Sequence, residues 1–356
     1  MNKRNVCILF GGVSPEHAVS LRSAEAVLNH LDTEKYTIIP VGITREGQWI
    51  RYVGEDYSLL PGGQWCEYSG NYKVLISPVP GEGLLCFKND GVSLEPIDVV
   101  FPVLHGENGE DGSIQGLLQL AGIPCVGPQL APSAVAMDKT LTKLVIDHAG
   151  ILQASWLLVR ASDLQSRMDD IVNQVQARFS YPVFVKPAGT GSSVGVSKAA
   201  DAASLRNALL TAGKFDEKIL VEEFVDGREI EVAVMGNDSP VASVCGEIDS
   251  GAEFYDYDAK YITDSSVAYV PARIGDELAE QVRELAVKAY KAIGCRGLSR
   301  VDFFVTYHGE NIVFNEINTL PGFTSISMYP KLFAASGIPF GQLLDELLQL
   351  AMEASK

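Results

Sequence analysis

Near the N-terminus, the apolar run Val6-Cys-Ile-Leu-Phe10 ends in Gly11-Gly12. Leu21, Ala24, Val27, Leu28 and Leu31 then follow at helical spacing, and after them comes a β-rich stretch, Tyr36 to Ile43. A strand feeding a glycine turn and an amphipathic helix opens a βαβ unit, because parallel strands need such a crossover. Asp98-Val-Val-Phe-Pro-Val103 repeats the pattern, with a glycine-rich turn from His105 to Gly112 and an apolar helix, Ile114 to Ala121. About the first 130 residues are therefore predicted to be doubly wound. Between the two units, Trp49 to Leu94 is rich in glycine and aromatics without helical period, which suits inserted hairpins and loops.

A chain of 356 residues holds two or three domains at roughly 100–200 residues each. From Lys139 the pattern changes to a helix, a strand at Val183 to Lys186, a glycine-serine loop, a helix near Ala202 to Leu210 and a strand at Ile219 to Glu223. Beyond Arg228 it predicts strands at Glu229 to Met235 and Val241 to Glu247 and a helix at Asp276 to Ile293. Strands at Ser299 to Thr306 and Ile312 to Asn318 and a last helix ending near Met352 complete the set. Gly112 to Met137 carries no charge, but Pro124, Pro128 and Pro132 make it helix plus loops and not a membrane span.

Twenty-eight Lys and Arg against forty-five Asp and Glu leave a net charge of −17, which argues against nucleic acid as a partner. Six cysteines without a C-x-x-C pair match neither a zinc site nor a disulfide framework and suit a reducing cytosol. The first apolar run is too short for an export signal, so a cytoplasmic location is expected.

Four segments, with Glu16 and His105, are candidates to carry chemistry. Lys186-Pro-Ala-Gly-Thr-Gly-Ser-Ser-Val-Gly195 sets glycines and hydroxyls beside a lysine. A phosphate-covering loop and an ordinary flexible hairpin both fit it when it is taken alone. In Arg300-Val-Asp302 and Asn315-Glu316-Ile-Asn318, strand alternation puts Arg300 with Asp302 on one face, and Glu316 with Asn318 on one face. Adjacent strands would bring together an all-oxygen set suited to Mg²⁺, the alternative being a solvated face with one ion pair. The turn Leu320 to Ser327 offers backbone donors to a carboxylate or oxyanion, or is simply a loop. Glu16 could pair with a substrate ammonium or cap a helix, and His105 could orient a ligand or satisfy a turn. The first glycine turn is not G-x-G-x-x-G, which argues against a nicotinamide dehydrogenase.

Seven motifs occur in one order: Gly-Gly-Val-Ser-Pro-Glu-His-Ala-Val-Ser, Leu-His-Gly-Glu-Asn-Gly-Glu-Asp-Gly, Met-Asp-Lys, Gly-Ser-Ser-Val-Gly, Tyr-Asp-Tyr-Asp-Ala-Lys-Tyr, Arg-Val-Asp and Asn-Glu-Ile-Asn-Thr-Leu-Pro-Gly-Phe-Thr. From Gly11 to the last helix the chain resembles the D-alanine–D-alanine ligases of the ATP-grasp superfamily. The resemblance implies an α/β ATP-grasp protein in three domains. These are a doubly wound domain at 1–136, a central lobe at 137–227 and a C-terminal lobe at 228–356, with ATP between the two mixed αβ lobes. It implies ligation of two D-alanines to D-alanyl-D-alanine through a D-alanyl phosphate, for peptidoglycan precursor synthesis. ATP, two Mg²⁺ ions with Mn²⁺ as a substitute, and a homodimer are implied with it.

Carried over by position, Lys139 and Lys186 match the lysines on the ATP phosphates, and Ser192, Ser193 and Val194 the covering loop. Glu222, Glu223, Val225 and Glu229 match the adenine and ribose positions, and Asp302, Glu316 and Asn318 the metal ligands. Glu16 matches the carboxylate for the first D-alanine's ammonium, and Arg300 and the Gly322 backbone the groups around the transferring acyl oxygen. Ser327, Met328 and Lys260 match the grip on the second D-alanine and the phosphate, and His105 a further active-site position. The resemblance also implies a hydrogen-bond chain Glu16, Ser192, Tyr261 that closes the site. Tyr261 and apolar Met328 favour a D-alanine acceptor over D-lactate or D-serine. A D-alanine–D-serine or D-alanine–D-lactate ligase is the alternative within the family. A non-catalytic nucleotide-binding protein is the alternative outside it, and would be expected to lack one of Lys139, Lys186, Arg300, Asp302 or Glu316, all of which are present.

Overall fold

The computed structural model describes residues 3–191, 194–249 and 267–354. The first sheet contains β1 (Arg4–Gly11), β2 (Tyr36–Ile43), β3 (Trp49–Arg51), β4 (Tyr72–Ile76), β5 (Leu84–Lys88), β6 (Gly91–Glu95) and β7 (Val99–Leu104). Their order is β6-β5-β4-β3-β2-β1-β7. Strands β2, β1 and β7 run parallel, and β3 to β6 extend the sheet antiparallel.

Helix α1 (His17–His30) packs Leu21, Ala24, Val27 and Leu28 against Val6, Ile8 and Phe10. Helix α2 (Ser113–Ala121) packs Ile114, Leu118 and Ala121 against Cys7 and Leu9 on the opposite face. Every residue of the Val6 to Phe10 run therefore enters one core or the other, which is why the run has no polar member. The doubly wound expectation describes this parallel centre, and the stretch from Trp49 to Leu94 is an ordered antiparallel extension of it. At the end of β1, Gly11 has φ +89°, and a Cβ there would stand 2.1 Å from the Ile43 carbonyl oxygen, so only glycine lets the strand turn.

Helices α3 (Leu130–Met137) and α4 (Lys139–His148) lead into a second sheet of β8 (Trp156–Arg160), β9 (Val183–Pro187), β10 (Ser197–Ala199) and β11 (Lys218–Glu223), ordered β10-β9-β11-β8. Helices α5 (Leu164–Arg178) and α6 (Ala202–Ala212) cover it. The third sheet is β14-β13-β12-β15-β16, from β12 (Gly227–Gly236), β13 (Val241–Asp249), β14 (Val267–Tyr269), β15 (Gly297–Thr306) and β16 (Ile312–Asn318).

Helix α7 (Asp276–Ile293) lies on one face of that sheet. On the other, α8 (Met328–Ala335) and α9 (Phe340–Ala354) share a single apolar core with α1 and β1, so the first and third sheets are bound by one hydrophobic cluster. Among the described residues no helix is long and apolar enough to cross a membrane. All six cysteines are free thiols.

Candidate active site

A cleft of about 1010 Å³ opens between the second and third sheets and reaches Glu110 in the turn after β7. One wall is lysine-rich. Helix α4 begins at Lys139 because the Asp138 carboxylate accepts the backbone N–H groups of Thr140 at 2.9 Å and Leu141 at 3.2 Å, an N-cap. Lys139 and Lys143, one turn apart, then face the same way. Lys139 Nζ donates to the Thr190 carbonyl at 2.6 Å, tying α4 to the glycine-rich loop.

Lys186 on β9 meets Glu222 Oε2 at 2.6 Å, and Lys143 meets Glu222 Oε1 at 2.7 Å. The contact follows from register: β11 sets Glu222 opposite Phe184, which makes Lys186 a diagonal neighbour on the same face. Burial pushes the Glu222 carboxyl up, but the two lysines outweigh it and hold the group at about 2. Burial likewise pushes Lys186 down, and Glu222 more than reverses this, raising it. Within the loop, the Thr190 hydroxyl donates to the Val194 carbonyl at 3.0 Å. Glu223 accepts the Ser155 N–H at 2.7 Å, and Val225 and Glu229 line the cleft beside it. Ser192, Ser193, Lys260 and Tyr261 lie outside the described residues, as does the greater part of the aromatic loop.

The third sheet lines the other side with Glu229, Glu316 and Asn318 among others, and a charged cluster adjoins the last two. Strand pairing aligns Glu231 of β12, Asp302 of β15 and Glu316 of β16, with Arg300 opposite Asn318. Arg300 grips Asp302 with two bonds, Nε to Oδ1 at 2.8 Å and a terminal nitrogen to Oδ2 at 2.6 Å, and approaches Glu231 at 3.2 Å. Burial alone would lower the guanidinium pKa, but Asp302 and Glu231 raise it further above its ordinary value. Asn318 donates to Asp302 Oδ2 at 3.0 Å, the amide orientation that leaves its own oxygen available. Among the described residues no three His, Cys, Asp or Glu side chains are close enough to share a metal ion. A set of Asp302, Glu316 and the Asn318 amide oxygen is nevertheless all-oxygen, the chemistry Mg²⁺ selects, so these residues fit the ion.

From the N-terminal part of the chain Glu110, in the turn after β7, lines the cleft, and Glu16 lies near it. The Ser14 hydroxyl donates to the His105 carbonyl at 2.6 Å and accepts the Glu16 N–H at 3.0 Å, fixing the turn after β1. Glu16 Oε2 lies 2.7 Å from where a Cβ on Gly106 would stand and 3.4 Å from one on Gly191, so Glu16 sits where the first sheet meets the glycine loop. His105 bridges the Leu320 carbonyl and Ser23, each at 3.2 Å, and burial pushes its pKa down. The Ser327 hydroxyl accepts the Thr324 N–H at 3.0 Å and lies 2.7 Å from where a Cβ on Gly322 would stand, which places both at the turn after β16.

Met328, next to Ser327, is buried in the core, its methyl directed at Gly246 of β13. The sequence reading also omitted three residues. Lys143 falls on a helix face that looks merely polar. Glu231 follows Glu229 by two and opens onto an apolar run, a charge against apolar strand residues like the one that marked Asp302. Glu110 accepts the Gly106 N–H at 2.8 Å, and its pKa is pushed up to about 8, first by burial and then by the Glu16 charge.

Two family models match: "D-ala D-ala ligase N-terminus" over residues 5–128 and "D-ala D-ala ligase C-terminus" over 145–349. The chain is 47% identical to the D-alanine–D-alanine ligase of Acetivibrio thermocellus, over 99% of this chain and 96% of that protein. It is 49% identical to that of Ruminiclostridium cellulolyticum, with the same coverage. Among solved structures, the VanG D-Ala:D-Ser ligase from Enterococcus faecalis superposes with a TM-score of 0.89 at 40% identity, over 98% of this chain and all of that one. The D-alanine–D-alanine ligase from Coxiella burnetii superposes at 0.85 with 32% identity, over 100% and 95%.

Proposed function

This chain belongs to the D-alanine–D-alanine ligase family, and we propose that its cleft joins two D-alanines at the expense of ATP, supplying dipeptide for peptidoglycan synthesis. One observation supports this most: Lys139, Lys143 and Lys186 line one cleft with Glu316 and Asn318, and Asn318 is bonded to the Asp302 that Arg300 grips. A carboxylate cannot acylate an amine directly, because oxide is a poor leaving group. Transfer of the γ-phosphoryl group to the first D-alanine makes an acyl phosphate, from which phosphate can leave. That transfer moves one anion onto another, so cations must surround both.

Lys139 and Lys186 would hold the phosphates, while Glu16 holds the first ammonium. Asp302, Glu316 and the Asn318 amide oxygen would hold Mg²⁺, which would supply further positive charge at the phosphates. Arg300 and the Gly322 N–H would stabilise the oxyanion formed when the second amine attacks. Ser192, Tyr261 and Lys260 would close the site, and Ser327 would face the acceptor. Domains at 1–136, 137–227 and 228–356, a homodimer and a cytoplasmic location belong to the same reading.

D-serine as acceptor is a second reading, favoured by the likeness to the Enterococcus faecalis structure. Phosphate release with Mg-ATP and D-alanine, repeated with excess D-serine or D-lactate and with products weighed by mass spectrometry, tests both. D-alanyl-D-alanine alone supports the first, a mixed dipeptide the second, and no turnover overturns both.

A further inference from the structure

The notable feature of the lysine wall is that Glu222 touches two lysines and not one. Its two oxygens are taken by Lys143 and Lys186 at 2.7 and 2.6 Å, and both the Lys143 and Glu222 side chains are under one-tenth exposed. The charges of Glu222 and Lys186 alone would cancel, leaving a neutral pair beneath the phosphates. Lys143 adds the charge that leaves the trio net positive. It also occupies Oε1, so the carboxylate presents Oε2 to Lys186 in one geometry. Lys143 itself cannot drift, since its α4 backbone carbonyl accepts the Gln153 amide at 2.8 Å and Asp138 caps the same helix.

We propose that Lys143 is a positioning residue for the nucleotide's phosphates. By neutralising and orienting Glu222, it frees the charge of Lys186 to act on the polyphosphate. The inference rests on the nucleotide reading of the cleft but sets Glu222, through its bond to Lys186, at the phosphate end and not at the adenine position that the resemblance implies. It concerns affinity for charge and not for the base. Losing Lys143 would leave Glu222 to cancel Lys186, weakening a polyanion while sparing an uncharged nucleoside. Removing one unit charge within several ångströms of phosphate costs roughly tenfold in affinity at an intermediate effective dielectric.

The test is calorimetric binding of ADP and of adenosine, with Mg²⁺ and at fixed ionic strength, to the full chain, K143M, K143Q and K143R. We expect the ratio of adenosine to ADP dissociation constants to fall roughly tenfold in K143M and K143Q. In K143R, which keeps the charge, it should stay within about twofold. A structural defect would weaken both ligands together and leave the ratio unchanged, and that outcome overturns the proposal. If K143M fails to fold, K143Q, which retains a donor toward Glu222, gives the same reading. Should the unaltered chain bind no ADP, the nucleotide reading falls and the inference with it. Binding by the unaltered chain with a constant ratio removes only the role of Lys143.

Discussion

His105 Nδ1 lies 3.2 Å from the carbonyl oxygen of Leu320, joining the end of β7 to the turn after β16 across 215 residues. Its other ring nitrogen lies 3.2 Å from Ser23 Oγ, which in turn accepts the Phe323 N–H at 3.3 Å. A neutral ring donating from Nδ1 and accepting at Nε2 satisfies every member of this circuit, in keeping with the downward push of burial. Gly322 is thereby fixed on both sides. His105→Ala should lower kcat for dipeptide formation by about tenfold to a hundredfold, the worth of one or two buried hydrogen bonds. ADP affinity should stay within about twofold, because no nucleotide contact is touched. Loss of ADP binding on the same scale as kcat would count against the turn as the target.

Glu110 gives a pH signature. A carboxyl whose folded pKa is raised from its ordinary value to about 8 binds a proton in the native state that the unfolded chain has released. Its contribution to stability is complete below the ordinary carboxylate range and is lost as pH rises through about 8. Glu110→Gln keeps the shape without the titration, so its melting temperature should gain on that of the unaltered chain between pH 5 and pH 9 (on the order of these limits, set by the ordinary and raised values). Parallel melting curves across that range would refute the assignment.

Much of this organisation was legible in the sequence, for a physical reason. β1, β7 and α1 announce themselves because burial on two faces removes polar residues, and β15 and β16 because charges break apolar strands where they are needed. Helix α5 escaped notice because it has only four buried residues, Leu164, Ile171, Val172 and Val175, and departs from helical geometry at Arg167. What Lys143 touches could not be read at all. It depends on the packing of α4 against β11, a long-range contact that no local periodicity encodes.

Arg300→Lys tests the charged cluster beside Glu316 and Asn318. A lysine ammonium cannot reproduce the two parallel bonds to Asp302, so a buried carboxylate is left under-paired and the oxyanion loses a fixed donor. We expect kcat to fall by about a hundred- to a thousandfold, with a lower melting temperature. Steady-state phosphate release and thermal unfolding on the same preparation check both, and near-normal turnover would show that charge alone suffices at this position.

Glu316→Gln removes one anionic oxygen from the proposed Mg²⁺ set while leaving β16 paired to β15. Phosphate release should become undetectable at ordinary Mg²⁺ and recover in part as Mg²⁺ is raised, with the far-ultraviolet circular dichroism unchanged. A rate that does not depend on Mg²⁺ concentration in the variant would sink the metal role of this residue.

Asp138 separates fold from function on the lysine wall. It caps α4 through two backbone N–H groups and also pairs with Lys218 of β11, so it holds both the start of the helix and its distance from the second sheet. Asp138→Ala should cost about 1–2 kcal/mol of stability, the usual worth of an N-cap. Asp138→Asn, which still accepts from the helix but no longer pairs with Lys218, should cost less than the alanine variant, because exposed or half-exposed ion pairs contribute under about 1 kcal/mol. Since Lys139 is the first residue of that helix, the KM for ATP should rise with the fraying of its first turn, in the order Ala above Asn above the unaltered chain. Denaturant unfolding and ATP titration over the three proteins read the two effects side by side; a KM that rises equally in both variants would assign the effect to the lost charge and not to the cap.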